Sequence, residues 1–294
     1  MAKARAILKR IGAVKNIAKI TNTMQMIATA RFKRAFDRAV AARPYTDRLV
    51  KLIEQLTDAA GEYTHPLLES RDAKKVAVLV IASNRGLCGG YNSNVIRALR
   101  TLRRELDQRG IDVELHVSGK KPIGALRFQG VEMASTISHL DDKVRFDEVD
   151  EIATPLIERF QSGDLDELHV VYTKFLSSAR QEACAEQVLP LTREASDSGD
   201  ADPKKTTWGR QTIFSPDPET ILNDLLPRSV RLHVFQAFLD AAVSEQTARR
   251  VAMKVATDNA NDVVVELTRT YNRSRQAQIT TELSEIMGGA AALE

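Results

Sequence analysis

The non-polar positions near the start of the chain recur in a 4-3 rhythm. Residues 7, 11, 14, 18, 21, 25, 28, 32, 35 and 39 read Ile, Ile, Val, Ala, Thr, Gln, Ala, Phe, Ala and Ala, a coiled-coil seam built largely of small side chains. A second apolar row, Ile17, Ile20, Met24 and Ile27, lies partly off that seam, so the helix carries more apolar surface than one partner helix covers. No glycine or proline falls between Gly12 and Pro44. The pattern predicts a helical arm from about Ala2 to Leu56, roughly 75 Å long at 1.5 Å per residue. A second arm starts at Ser215-Pro-Asp-Pro-Glu219, becomes fully helical after Pro227, and has no proline or glycine from Ser229 to Met287. Its inward positions read as Val234, Phe238, Ala241, Ala248, Ala252, Val255, Ala260, Val263, Leu267, Ser274 and Ala277.

Between the arms the rhythm changes. Residues 76–83 form a continuous apolar run of strand length, the pattern of a strand buried on both faces. It ends in Asn84-Arg-Gly-Leu-Cys-Gly-Gly-Tyr-Asn92, after which Val95, Ile96, Leu99 and Leu102 take helical spacing. Further strands are predicted at Val113–Val117, weakly near Val131, at Glu167–Thr173 and at Ala183–Leu189, the last two paired through Ser177-Ser-Ala-Arg180. Helices are predicted at Lys121–Phe128 and Asp147–Gln161, and a mobile polar loop at Arg193–Lys205. The expected fold class is α/β, a Rossmann-like, mostly parallel sheet flanked by long N- and C-terminal helices that form an antiparallel coiled coil. The expected domains are an N-terminal coiled-coil helix (1–58), an α/β globular domain (72–210) and a C-terminal coiled-coil helix (215–294) that pairs with the first.

At 294 residues and 43% hydrophobic composition the chain is ample for a core. No apolar run approaches the length of a membrane span. The basic start lacks the apolar core and cleavage site of a secretory signal. Net charge is only +3, yet residues 1–50 hold twelve Lys or Arg against Asp37 and Asp47, a local +10. That arm needs an acidic partner, and nucleic acid, anionic lipid and an acidic protein loop all qualify on charge alone. Cys88 and Cys184 lie far apart without CxxC spacing, which reads as two small buried residues in a reducing compartment. Gly86, Gly89 and Gly90 sit where a phosphate-binding turn would sit, but match neither GxGxxG nor GxxxxGK[ST]; close helix-to-strand packing is the plainer use. Five histidines lack metal spacing and no serine stands in GxSxG, so no catalytic constellation emerges. Three classes remain open on the residues alone: a mechanical stalk, a nucleic-acid-binding helical hairpin, and an enzyme using the Gly86–Gly90 loop.

Three segments together resemble the gamma subunit of bacterial F-type ATP synthases. They are Arg10-Ile-Gly-Ala-Val-Lys-Asn-Ile-Ala-Lys-Ile-Thr21 with Met24-Gln-Met-Ile-Ala28, then Ala82-Ser-Asn-Arg-Gly-Leu-Cys-Gly-Gly-Tyr-Asn92, and Tyr271-Asn-Arg-Ser-Arg-Gln-Ala-Gln-Ile-Thr-Thr-Glu-Leu-Ser-Glu-Ile-Met-Gly-Gly-Ala290. The resemblance is collinear over essentially the whole chain. It implies a non-catalytic central rotor stalk without cofactor or metal, whose coil turns inside a ring of three alpha and three beta subunits. Its α/β part would rest on the membrane c-ring beside the epsilon subunit, at the cytoplasmic face of the bacterial inner membrane, with neither nucleic acid nor a small-molecule substrate as ligand. By position it implies partner-binding roles for Arg275, Gln276, Thr280, Glu282, Met24, Lys9, Arg10, Arg31 and Arg34. Lys33 belongs with the last two, and Ile279, Leu283, Ile286 and the small tail from Gly288 fit an apolar collar. The family usually has Lys-Ala where Asn22-Thr23 stands, and Asp where Asn84 stands. The paired cysteines of the thiol-regulated chloroplast members are missing.

Overall fold

The computed structural model describes residues 2–60, 65–140, 143–191 and 217–291. The predicted loop at 193–205 lies outside the described residues. In chain order the elements are α1 (Ala2–Ala60), β1 (Lys75–Ile81), α2 (Tyr91–Gln108), β2 (Asp112–Ser118), α3 (Lys120–Phe128), β3 (Ser135–Ile137), α4 (Phe146–Gln161), β4 (Glu167–Phe175), β5 (Gln181–Leu189) and α5 (Pro218–Ala291).

β1 lies at the centre of a five-stranded sheet ordered β3-β2-β1-β4-β5, parallel except for the β4–β5 hairpin. Val76, Val78 and Val80 face α2 and α3, where they pack with Val95, Leu99, Leu102 and Leu126. Ala77, Leu79 and Ile81 face α4 and pack with Val149, Ala153, Ile157 and Phe160. Burial on both faces is why the run at 76–83 shows no alternation. The weak strand expected near Val131 forms instead at Ser135–Ile137. Gly130 takes a left-handed φ of 69°, and the Val131 amide bonds back to Leu126 O at 3.0 Å, so Val131 closes α3 before the chain can enter the sheet.

Both arms are single helices, and each runs through a proline, Pro44 in α1 and Pro227 in α5. α5 begins nine residues before its internal proline because Asp217 caps it. The Asp217 carboxylate accepts the Thr220 amide and the Thr220 hydroxyl, both at 2.9 Å, and Pro218 needs no partner for an amide hydrogen it lacks. Around Pro227 the lost helix bond is offset by packing: Leu222, Leu226 and Val230 are fully buried.

The chain divides into two compact units, and the division falls inside both long helices, not at the ends of the predicted arms. One unit holds the sheet together with α1 from Arg31 onward and α5 up to Glu245. Leu222, Leu226, Val230, Val234, Phe238 and Ala241 form a stripe in the core on the α4 face of the sheet. On another side of the same helix, Leu239 and Val243 pack with Phe175 of β4 and with Ala35 and Ala39 of α1. The rings of Phe32, Phe36 and Phe175 meet at centroid distances of 5.7 to 6.2 Å. The sheet therefore holds long sections of both helices, while Ala35 and Ala39 of α1 still meet Leu239 and Val243 of α5 there.

The other unit joins α1 up to Ala30, α5 from Gln246, and the loop residues Leu87–Gly89. From Arg5 to Ala30 the buried and half-buried residues are Ile7, Ile11, Val14, Ala18, Thr21, Gln25 and Ala28, the predicted seam without exception. On α5 the seam is Met253, Thr257, Ala260, Val264, Leu267, Tyr271, Ser274 and Gln278, again in 4-3 steps. Three positions expected to face inward do not. Val255 is 52% and Val263 39% exposed, and Ala277 is exposed. Each is apolar but stands one or two residues out of the spacing that a seam requires.

Two outcomes follow for the sheet unit. A Cβ on Gly119, at φ 107°, would lie 2.3 Å from Ala82 O, whereas one on Gly86 would meet only the flexible Lys121 side chain at 3.5 Å. Urea denaturation should show Gly119→Ala destabilised by more than about 2 kcal/mol and Gly86→Ala by under about 1 kcal/mol. Glu186 on β5 accepts from the Tyr172 hydroxyl at 2.6 Å and from Lys174 Nζ at 2.7 Å, with His233 of α5 at 3.5 Å. Burial raises this carboxyl, but the bonds from His233, Lys174 and Tyr172 outweigh it and bring the pKa from 4.5 down to about 2. A depressed carboxyl contributes stability above its unfolded pKa and loses it as pH falls through the folded one. Between pH 4.5 and about 2, wild-type stability should fall more steeply than that of Glu186→Gln, as read from denaturation midpoints against pH.

Candidate partner-binding surface

In open α/β sheets the crevice beyond the carboxyl ends of the strands is the usual ligand site. Here α5 occupies it. Phe238, Ala241 and Ala242 stand against Ile81, Ala82 and Ser118, leaving a cavity of about 40 Å³. The Tyr91 hydroxyl donates to Ala241 O at 3.2 Å across this space. A nucleotide needs several hundred Å³. The Gly-rich loop is held from within: the Ser83 amide donates to Asn92 Oδ1 at 3.1 Å, and Asn84 Oδ1 accepts the Lys120 amide at 3.0 Å. Asn84 Nδ2 also donates to Leu140 O. An aspartate at this position has no such donor, so Asn84 has a structural use where the family usually places a charge. Gly89, at φ 58°, lies against Ala252 of α5, so packing is the use the loop shows.

Among the described residues no group of three or more His, Cys, Asp or Glu is placed to hold a metal. His65 Nδ1 accepts the Leu67 amide, His116 bonds to Ser135, and His169 bonds to Glu167. Cys88 is buried, but Cys184 is only half-buried, which corrects the expectation of two buried thiols. Burial first, and then Glu186, push the Cys184 thiol up to about 11, so it is unreactive at neutral pH.

The nine residues expected to bind partners fall into three groups. Lys9, Arg10 and Met24 are exposed on the coil section of α1, and Met24 stands in the row Ile17, Ile20, Met24 and Ile27, each at least 36% exposed. Arg275, Gln276, Thr280 and Glu282 are exposed on the coil section of α5. Arg31 and Arg34 belong to the sheet unit, and both are engaged within the chain. The Thr280 hydroxyl donates to Gln276 O at 3.0 Å, and Glu282 accepts from Gln278 at 2.8 Å. Arg275, by contrast, makes no hydrogen bond or ion pair among the described residues, which leaves its planar fork available. Beyond it Ile279, Leu283, Ile286 and Met287 are 48% to 71% exposed.

Sequence reasoning passed over other members of this surface. Leu8 and Met26 are 49% and 58% exposed on α1. Leu87, in the loop that belongs to the coil unit, is 61% exposed and has φ 63°. Leucine rarely adopts that conformation, and its only signal in the sequence is the glycine on either side at positions 86 and 89.

Comparison with known proteins places this geometry. A family model described as ATP synthase matches residues 3–293. The ATP synthase gamma chain of Rhodopirellula baltica is 44% identical over 295 residues, and that of Leptospira biflexa 42% over 294, each covering 100% of both chains. Among solved structures, a chain of the Euglena gracilis mitochondrial ATP synthase rotor aligns with a TM-score of 0.62 at 19% identity, over 95% of this chain and 99% of that one. A chain of the Tetrahymena thermophila central stalk and c-ring aligns at 0.59 and 21%, over 81% and 99%. These two share the fold, and the sequence relatives share far more. With its helical coil, its five-stranded sheet and full-length identity above 40%, the chain belongs to the ATP synthase gamma-chain family.

Proposed function

We propose that this chain is the central rotor stalk of a proton-translocating F-type ATP synthase, and is not itself catalytic. Its coil turns within three alpha and three beta subunits, and its sheet unit meets the epsilon subunit and the membrane c-ring. The observation that carries this reading is a coil whose seam is complete while a second apolar row stays exposed. Ile17, Ile20, Met24 and Ile27 on α1, and Ile279, Leu283, Ile286 and Met287 on α5, are surface that the partner helix leaves uncovered. Such a row is covered by protein in an assembly.

Membership of the family supports a place in the ATP synthase complex, and the residues suggest the chemistry. The basic face of α1, including Lys9 and Arg10, suits acidic protein segments. Arg275 and Gln276 offer side-chain donors at the rim of the apolar collar, where they hold catalytic subunits by bonds that form and break as the stalk turns. Apolar side chains above them slide with little resistance. An asymmetric shaft binds each catalytic subunit differently at each angle, and that difference in affinity drives their conformational exchange. No described helix is long and apolar enough to cross a membrane, so the chain reaches the cytoplasmic face of the inner membrane through its partners.

Co-expression with alpha, beta and epsilon subunits tests the assembly. An ATPase that holds this chain in a fixed ratio of one to three alpha–beta pairs is the expected outcome, and recovery of the chain as a free monomer would refute it. In that complex Arg275→Ala should slow coupled ATP turnover about 3- to 30-fold. The unfolding midpoint of the isolated variant should not move, because an exposed arginine without a partner adds little to stability.

A further inference from the structure

We propose that Asp240 is a proton-sensitive latch in the sheet unit: with its carboxyl protonated, α5 stays seated on the β4–β5 hairpin, and with it ionised the seat loosens. His233, Asp240 and Ser244 stand seven and four residues apart on α5, so they share one helical face. The outer two reach the hairpin. His233 Nε2 lies 3.5 Å from Glu186 of β5, and the Ser244 hydroxyl donates to Thr173 O of β4 at 3.1 Å. Asp240, between them and only 5% exposed, makes no bond to the hairpin among the described residues. Its single hydrogen bond there comes from Gln236 Nε2 of its own helix, at 3.1 Å.

A buried carboxylate needs a cation or several donors, and neither nearby cation serves it. Lys174 of β4 is bound to Glu186 at 2.7 Å, while Arg43 of α1 is exposed and forms no ion pair among the described residues. Glu186 faces Asp240 as a second negative charge, and it already draws the Tyr172 hydroxyl, Lys174 and His233 to itself. Cys184 of β5 stays a neutral thiol. Gln236 keeps a buried Oε1 without a donor, so the surroundings hold acceptors where an ionised carboxylate needs donors. Burial first, with Glu186 adding to it, raises the Asp240 carboxyl above its ordinary value, against the pull of Arg43, Gln236 and Lys174. Leu239 and Ala241 on either side are buried in two separate clusters, one with Phe175 and one on the α4 face of the sheet. A carboxylate turning toward water or toward Lys174 strains both packings at once. A carboxyl raised on folding contributes fully below its ordinary value of 3.8 and loses that contribution as pH rises through the folded-state value. Alkali therefore loosens the seat, whereas the contribution of Glu186 is lost toward acid.

The latch lies wholly within the sheet unit, and it holds or fails whatever partners the chain has. The full-length chain is compared with Asp240→Asn, which is isosteric and cannot ionise, by urea unfolding and hydrogen exchange from about pH 4 to about pH 9. The ratio of the wild-type unfolding constant to that of Asp240→Asn should rise with pH, by up to about tenfold per pH unit, and then level off. Amides of residues 236–244 and of the β4–β5 hairpin should exchange faster than in Asp240→Asn by a factor that grows along the same course. In infrared spectra a carboxylic-acid C=O band that Asp240→Asn lacks should persist to higher pH than the other carboxyl bands. Glu186→Gln, which removes the facing negative charge and frees Lys174, should bring its loss to lower pH. A ratio independent of pH, a constant exchange factor at those amides, or a band lost together with the ordinary carboxyls would each overturn the latch. Should Asp240→Asn fail to fold, the infrared titrations of wild type and Glu186→Gln decide in the same terms.

Discussion

The rest of the structure depends on the burial of one stripe of α5 against the sheet. Leu222, Leu226, Val230, Val234, Phe238 and Ala241 are all at most 3% exposed. Burying each large side chain is worth about 1.5 to 3 kcal/mol. This stripe carries the helix through Pro227, fills the crevice in which an α/β sheet would take a ligand, and gives α5 a firm section from which the coil section continues. One packing choice thus removes the likeliest small-molecule site of the fold and supports a helix of 74 residues. Beyond that point the stripe turns to small residues, which α1 covers together with the loop at Leu87–Gly89.

Much of this was legible because helical spacing is a strict signal. The α1 seam was read position by position, since a heptad count does not depend on side-chain type. On α5 apolar identity at Val255, Val263 and Ala277 conflicts with that count, and those positions point outward. Met253, Thr257, Val264, Tyr271 and Gln278 of the seam are missing from that reading; three of them are polar, and Met253 and Val264 each stand one residue from an apolar or small position taken in their place. The boundary between units was not legible. It depends on which apolar residues of a continuous helix meet a sheet, and only tertiary packing decides that. β3 shifted for a local reason, the closing of α3 at Gly130 and Val131.

The surface was legible in part. Rows of exposed apolar residues follow from periodicity, as Ile17, Ile20, Met24 and Ile27 illustrate, and the positive charge of α1 is evident from composition. Leu87 was hidden, because its exposure comes from a backbone conformation that leucine seldom takes. The grouping of Arg31 and Arg34 with the sheet unit, apart from Lys9 and Arg10, was hidden too. Sequence gives the order of charges along a helix, while the division of that helix between two units comes from tertiary packing.

The central claim is that a coil with uncovered apolar rows works by turning inside other subunits. The direct measurement is single-molecule observation of the assembled complex, with the catalytic ring fixed to a surface and a bead attached to the exposed end of α3 at Phe128→Cys. The account predicts stepwise rotation of the bead in one direction when ATP is supplied. Steady ATP hydrolysis by the same complexes with the bead at rest would contradict it.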